Sequence, residues 1–274
     1  MKISLSTGCL YLYPLKTVFA WAQELGCQGL ELVVCPEVLV RGVGLVKNLC
    51  ARYQLPILSL HPPLLPFPGW QRPLQKLPTM LKISEELGSP MVILHAPRIT
   101  NLAQPAAVKF LETLKAYSGK NYQGPEVVLE TPGIFFPRDS SYFLHNPRHL
   151  AEFAQEQGFR LVLDTAHLGT TPLGLMESYR VCRHRLANVH FSDLTELPEP
   201  LDWPWLHSLL KHHQLPGEGT LPLDWLLRAL QEDGYSGPLT LEVSPIALRF
   251  WRPALAKRKL QQGLAFVRDV LCGG

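Results

Sequence analysis

Six residues able to bind a cation or move a proton stand at the ends of six consecutive apolar runs: His61, His95, Glu130, Asp164, His190 and Glu242. His, Asp and Glu together are 33 of the 274 residues, about one in eight, so six in succession is improbable by chance. Carboxylates and imidazoles crowded on one face are costly without a cation among them. A divalent ion would neutralise the cluster and act there as a Lewis acid. Oxygen and nitrogen donors without a thiolate suit zinc, manganese, iron or cobalt better than magnesium or calcium. The expectation is one divalent ion, zinc or manganese. Two further residues repeat a spacing: His167 follows Asp164 by three positions, and Asp193 follows His190 by three. From there each can hold a substrate group or orient a ligand.

Residues this far apart in sequence meet only if the fold gathers strand ends. Eight short apolar runs recur: Ile3 to Leu5, Gly29 to Val34, Ile57 to Leu60, Met91 to Leu94, Val127 to Leu129, Leu161 to Leu163, Ala187 to Val189 and Leu239 to Leu241. Segments of helical spacing lie between them. Leu15, Val18, Phe19, Ala22 and Leu25 form one apolar stripe stopped by Gly26, and Leu223, Leu226, Leu227 and Leu230 another stopped by Gly234. Asn146 and Pro147 read as a cap and first-turn proline, and Leu260, Leu264, Val267 and Leu271 mark a last helix. Continuous apolar strands imply burial on both faces, hence a parallel sheet covered by helices. Eight such units over residues 1–274 predict a single-domain α/β fold, the (β/α)8 TIM barrel, with the six strand-end residues converging on its active face. An open doubly wound sheet is disfavoured because no glycine-rich phosphate fingerprint follows the first strand. One long connection, Leu194 to Leu221, carries Trp203, Trp205, His207, His212 and His213, and reads as a binding element.

Composition narrows the classes. A hydrophobic fraction of 46% with 18% charged residues describes a chain with a core to bury, and no run approaches a membrane span. Met1 to Gly8 suits a first strand and lacks the long apolar region of a secretory signal, so the expected location is cytoplasmic. The six cysteines include no Cys-x-x-Cys pair, and a net charge of +3 gives little electrostatic support for nucleic-acid binding. No interface patch can be read, and the oligomeric state stays open.

The stretches Gly29-Leu-Glu-Leu, Ile93-Leu-His-Ala-Pro, Val128-Leu-Glu-Thr-Pro, Leu163-Asp-Thr-Ala-His and Val189-His-Phe-Ser-Asp, with Pro216-Gly-Glu-Gly-Thr-Leu-Pro-Leu-Asp leading to Gly234-Tyr-Ser-Gly-Pro-Leu-Thr-Leu-Glu242, run through the chain. Together they resemble the xylose isomerase-like barrel superfamily, which holds sugar isomerases, sugar epimerases and the type IV apurinic endonucleases. The resemblance implies a divalent-metal-dependent isomerase or epimerase acting on a small sugar or sugar phosphate through an enediolate. It implies a metal on Glu130, Asp164, His190 and Glu242, with Glu130 and Glu242 as the proton-handling pair and His167 holding a substrate oxygen. His61 and His95 match further metal ligands of the endonucleases, so a second ion shared with Glu130 is an alternative to substrate binding by His61, His95, Asp193 and His213. The alternative function is phosphodiester hydrolysis of abasic DNA. For its third metal site His167 and His213 fit, but Lys211 stands where an aspartate belongs and would repel a cation.

Blander roles compete for several residues. Glu31, near the end of the second run, either reaches the site or pairs with a basic neighbour. Trp70, Trp203 and Trp205 either wall a sugar pocket or pack their own loops. Arg98 and Lys211 either hold a phosphate or are surface charge, and Gly217-Glu218-Gly219 shapes a loop. No lysine ends a strand, which disfavours a Schiff-base mechanism.

Overall fold

Eight parallel strands pair in chain order and close on themselves, β1 hydrogen-bonding both β2 and β8. The computed structural model describes residues 1–65, 67–117, 122–196 and 210–273. The strands are β1 (Lys2–Ser6), β2 (Gly29–Val33), β3 (Ile57–His61), β4 (Met91–His95), β5 (Glu126–Glu130), β6 (Leu161–Asp164), β7 (Leu186–Phe191) and β8 (Pro238–Leu241). Each contains the apolar run expected of it or all but its last residue. The polar terminal residues belong to the strands too, except Glu242, which follows β8 directly.

Helices cover the outside. They are α1 (Leu15–Glu24), α2 (Pro36–Arg41), α3 (Val43–Tyr53), α4 (Leu77–Leu87), α5 (Pro105–Lys115), α6 (Pro147–Gln157), α7 (Thr165–Gly169), α8 (Gly174–Cys182), α9 (Leu223–Glu232) and α10 (Pro253–Cys272). α1 buries Leu15, Val18, Phe19 and Ala22, and α9 buries Leu223, Leu226, Leu227 and Leu230, the two stripes seen in the sequence. Asn146 caps α6 by accepting a hydrogen bond from the Arg148 amide at 3.0 Å. No described helix is long and apolar enough to cross a membrane.

Register decides which strand-end side chains become neighbours. His95 lies beside Glu130 across the β4–β5 pair, and Asp164 beside His190 across β6–β7. Parallel closure then brings every strand end to one rim. One buried group, Met91, Ile93, Val128, Val162 and Ala187 from four successive strands, is apolar. The buried residues Glu31, Ser59, Asn188 and Thr240 form a polar cluster instead.

Candidate active site

Glu130, Asp164, His190 and Glu242, at the ends of β5 to β8, each offer one ligand atom, all four within 4.8 Å of one another. His190 Nδ1 lies 2.7 Å from Glu242 Oε2, 3.4 Å from Glu130 Oε1 and 3.8 Å from Asp164 Oδ2. His190 Nδ1 and Glu242 Oε2 lie at ion-pair distance from each other, and among the described residues neither they nor the buried Asp164 Oδ2 has a hydrogen-bond partner outside this group. Buried polar atoms are normally satisfied by their surroundings, so the convergence of these atoms fits a cage that could hold a cation. Two further groups meet the same distance limit: His61, His95 and Glu130 on one side, and Asp164, His167 and His213 on the other. Glu130 and Asp164 each belong to two groups.

Two of the imidazoles, His61 and His167, are held by one nitrogen, which frees the other. His61 donates from Nδ1 to the Pro62 carbonyl at 2.7 Å, turning Nε2 toward Glu130 Oε2 at 3.3 Å. His167 donates from Nδ1 to the Thr131 carbonyl at 2.9 Å, and its backbone amide donates to Asp164 Oδ1 at 2.7 Å. Asp164 thereby caps α7 while leaving Oδ2 for the cage. His95 Nε2 reaches Glu130 Oε2 at 2.8 Å from a more exposed position. His213, with a positive φ of 52°, has its carbonyl pinned by the Ser244 amide at 2.7 Å.

Charge follows from this geometry. Burial works against a charged His61, yet the hydrogen bond and charge of Glu130, aided by Glu31 and Glu242, raise it from 6.5 to about 9. His190 likewise overcomes burial and rises well above its ordinary value, because Glu242 and Glu31 face it. Burial opposes ionisation of Glu242, but His190, then His213 and His61, hold it down at about 2. Glu130 is buried too, and His95, His190 and His61 keep it well below the usual carboxylate range. Without an ion, protons on the imidazoles balance the carboxylates.

The xylose isomerase-like TIM barrel family matches residues 19–270. This chain belongs to that family. An uncharacterized protein of Mycobacterium leprae is 26% identical over 287 residues, spanning 99% of this chain and 98% of the relative. Fructoselysine 3-epimerase of Escherichia coli is 24% identical over 282 residues, covering 89% and 90%. Among solved structures, D-psicose 3-epimerase of Clostridium cellulolyticum, crystallised with D-tagatose, superposes with a TM-score of 0.70 at 16% identity over 99% of both chains.

In this xylose isomerase-like barrel the ligand-atom groups border a cavity of about 600 Å³, within the range of small-molecule sites, which Asp164 and His190 themselves do not line. His61, His95, His167 and His213 line it with Glu130 and Glu242. So do Gln71, Phe135 and His145, which the sequence did not single out, and Arg98. Gln71 and Phe135 sit in loops and His145 ends a short 3-10 turn, where no apolar run or spacing marks them.

Asp193 is not among the lining residues. Its Oδ1 accepts the amides of Leu194 and Leu221 at 2.8 and 3.0 Å, and its Oδ2 those of Gly217 and Gly219, both at 3.0 Å. The carboxylate folds the loop after β7. Gly219 is required there, since a Cβ would lie 2.4 Å from Asp193 Oδ1 and from the Leu194 carbonyl. Asp193→Ala orphans four amides and is expected to cost about 2–4 kcal/mol in urea unfolding. A loss below the error of that measurement would remove this role.

Lys211 also differs from expectation. Its ammonium pairs with Glu196 at 2.8 Å, so its charge is balanced close by and its repulsion of a third cation is weakened. Trp70 is buried and packs on Phe67 within its loop. Trp203, Trp205 and His207 lie outside the described residues. His212 is buried against Phe135, their ring centroids 4.6 Å apart.

Proposed function

We propose that this chain is a divalent-metal-dependent isomerase or epimerase of a small sugar or sugar phosphate. The observation that carries the reading is the convergence of buried ligand atoms from Asp164, His190 and Glu242, satisfied by no group outside the cluster, beside Glu130, which with Glu242 lines the cavity. Relatives named as sugar 3-epimerases, among them fructoselysine 3-epimerase, support it. An ion of zinc or manganese on Glu130, Asp164, His190 and Glu242 would supply the Lewis acid that polarises a substrate carbonyl and steadies an enediolate. His61 and His95, with Glu130, offer a place for a second.

The protein's own groups divide the remaining work. Glu130 and Glu242 enter the cavity from β5 and from beyond β8, so one carboxylate removes a proton from the sugar carbon and the other returns it. Their depressed pKa values keep both ionised at neutral pH. His167, anchored through Nδ1, presents Nε2 to a substrate oxygen, and Phe135, packed edge-on against it, supplies an apolar wall. Among the described residues Arg98 is the one Lys or Arg lining the cavity, three residues beyond His95, and suits a phosphate at the far end of the substrate. Arg98→Gln is expected to raise KM for a phosphorylated sugar about tenfold or more and leave a neutral sugar unchanged. Equal effects on both would remove the phosphate role.

The test is to strip the protein with a chelator, reload it with single ions, and assay a panel of ketoses and ketose phosphates by chromatography. Turnover should vanish on stripping and return with one of the ions. Turnover indifferent to the chelator would sink the reading.

A second reading, phosphodiester hydrolysis of abasic DNA, is favoured by one observation: both flanking groups, His61, His95, Glu130 and Asp164, His167, His213, have ligand spacing. Three ions per chain and cleavage of abasic DNA that collapses in His61→Ala would put it first.

A further inference from the structure

We infer that Glu31 is the positioning residue that fixes which nitrogen of His190 faces the cage. The inference rests on the metal reading above and concerns a side chain that is not itself among the four ligands. Glu31 lies in β2, fully buried, and reaches across the barrel interior to β7. Its Oε2 accepts the Ser59 hydroxyl at 2.8 Å and the Asn188 amide at 3.3 Å, and lies 2.9 Å from His190 Nε2.

The direction of each hydrogen bond follows from its neighbours. Asn188 Oδ1 is occupied by the Thr240 hydroxyl at 3.0 Å and the Val189 amide at 2.8 Å. The Asn188 amide group must therefore face Glu31. Ser59 and Asn188 both donate to the same carboxylate oxygen, so that oxygen is an acceptor and His190 meets it as a third donor. His190 Nε2 must then carry a hydrogen, so neutral His190 has a bare Nδ1. That bare atom is the one lying 2.7 to 3.8 Å from Glu242, Glu130 and Asp164.

His61 and His167 use backbone carbonyls for the same anchoring. His190 alone of these three uses a charged acceptor, which holds the ring more strongly and adds electron density to the ligating nitrogen. Burying Glu31 with its second oxygen unpartnered costs stability that an apolar barrel residue would not incur. A cost of that kind is accounted for if the carboxylate serves the site above it.

The test compares wild type, Glu31→Gln and Glu31→Leu for zinc affinity against a chromophoric chelator, ion stoichiometry, and the visible spectrum of cobalt-loaded protein. Apo melting curves check that each variant folds. Glu31→Gln keeps an acceptor without charge, and Glu31→Leu removes the acceptor while keeping volume. Affinity should fall in the order wild type, Gln, Leu, reaching roughly 10–100-fold, with stoichiometry kept and the cobalt spectrum altered. Unchanged affinity and spectrum in a cooperatively folded Leu variant would overturn the assignment. Should the Leu variant fail to fold, nitrogen NMR of histidine-labelled wild type with zinc decides: Nδ1 bound and Nε2 protonated supports it, the reverse overturns it. Wild type that takes up no ion sinks the metal reading itself, and this inference with it.

Discussion

Glu242→Gln is expected to lower kcat by roughly 10²–10⁴-fold at saturating metal while leaving the fold intact. The change keeps the side chain's size and removes the charge that sits 2.7 Å from His190 Nδ1. A carboxamide is a poor ligand for a hard cation and no base at neutral pH, so both ion retention and proton transfer suffer. The fold survives because His190 still faces Glu31 at 2.9 Å and Glu130 at 3.4 Å, leaving no buried charge without a counter-charge. Loss of activity that persists at saturating ion would assign Glu242 to proton transfer. Recovery on adding excess ion would assign it to ligation alone. Steady-state rates with the best sugar of the panel, paired with a melting curve, make the measurement. Turnover within tenfold of wild type at ordinary ion concentration would take Glu242 out of the chemistry.

Those strand-end residues were legible because a single polar residue closing an apolar run is conspicuous, and parallel closure sends all such ends to one rim. Glu31 was ambiguous for the opposite reason. It lies within its run, and its meaning depends on His190, 159 residues away and on a non-adjacent strand. Asp193 shows the limit of spacing: it follows His190 as His167 follows Asp164, yet the Gly217 to Leu221 segment folds back over it and gives it three amides, with the Leu194 amide as a fourth. Lys211 read as a charge that repels a cation, because its partner, Glu196, lies 15 residues earlier in the same long connection. Local pattern reports which face a residue occupies, whereas its partner across the barrel is set by register and loop path. Arg98 was visible as a charge, but that this exposed residue lines the cavity follows only from the loop path after β4.

Stripping the metal should also make stability depend on pH in a direction that identifies the cage. His61 rises in the folded protein from 6.5 to about 9, so the stability it contributes is fully present below pH 6.5 and is lost as pH climbs through 9. A shift of that size corresponds to about 3 kcal/mol at most, and His190, raised for the same reason, adds in the same direction. Glu242 behaves inversely: held at about 2 against an ordinary 4.5, its contribution is present above pH 4.5 and fades as pH falls through 2. The stripped protein is therefore expected to be most stable between these windows and to weaken steadily from neutral to alkaline pH. The ion-loaded protein should not weaken there, because the cation takes the place of the protons, and its affinity should rise as protons stop competing for the imidazoles. Urea midpoints of stripped and loaded protein across this range test both halves of the expectation. Parallel curves for the two forms would mean that the ion and the imidazole protons do not share one site, and the cage would have to be sought elsewhere on the rim.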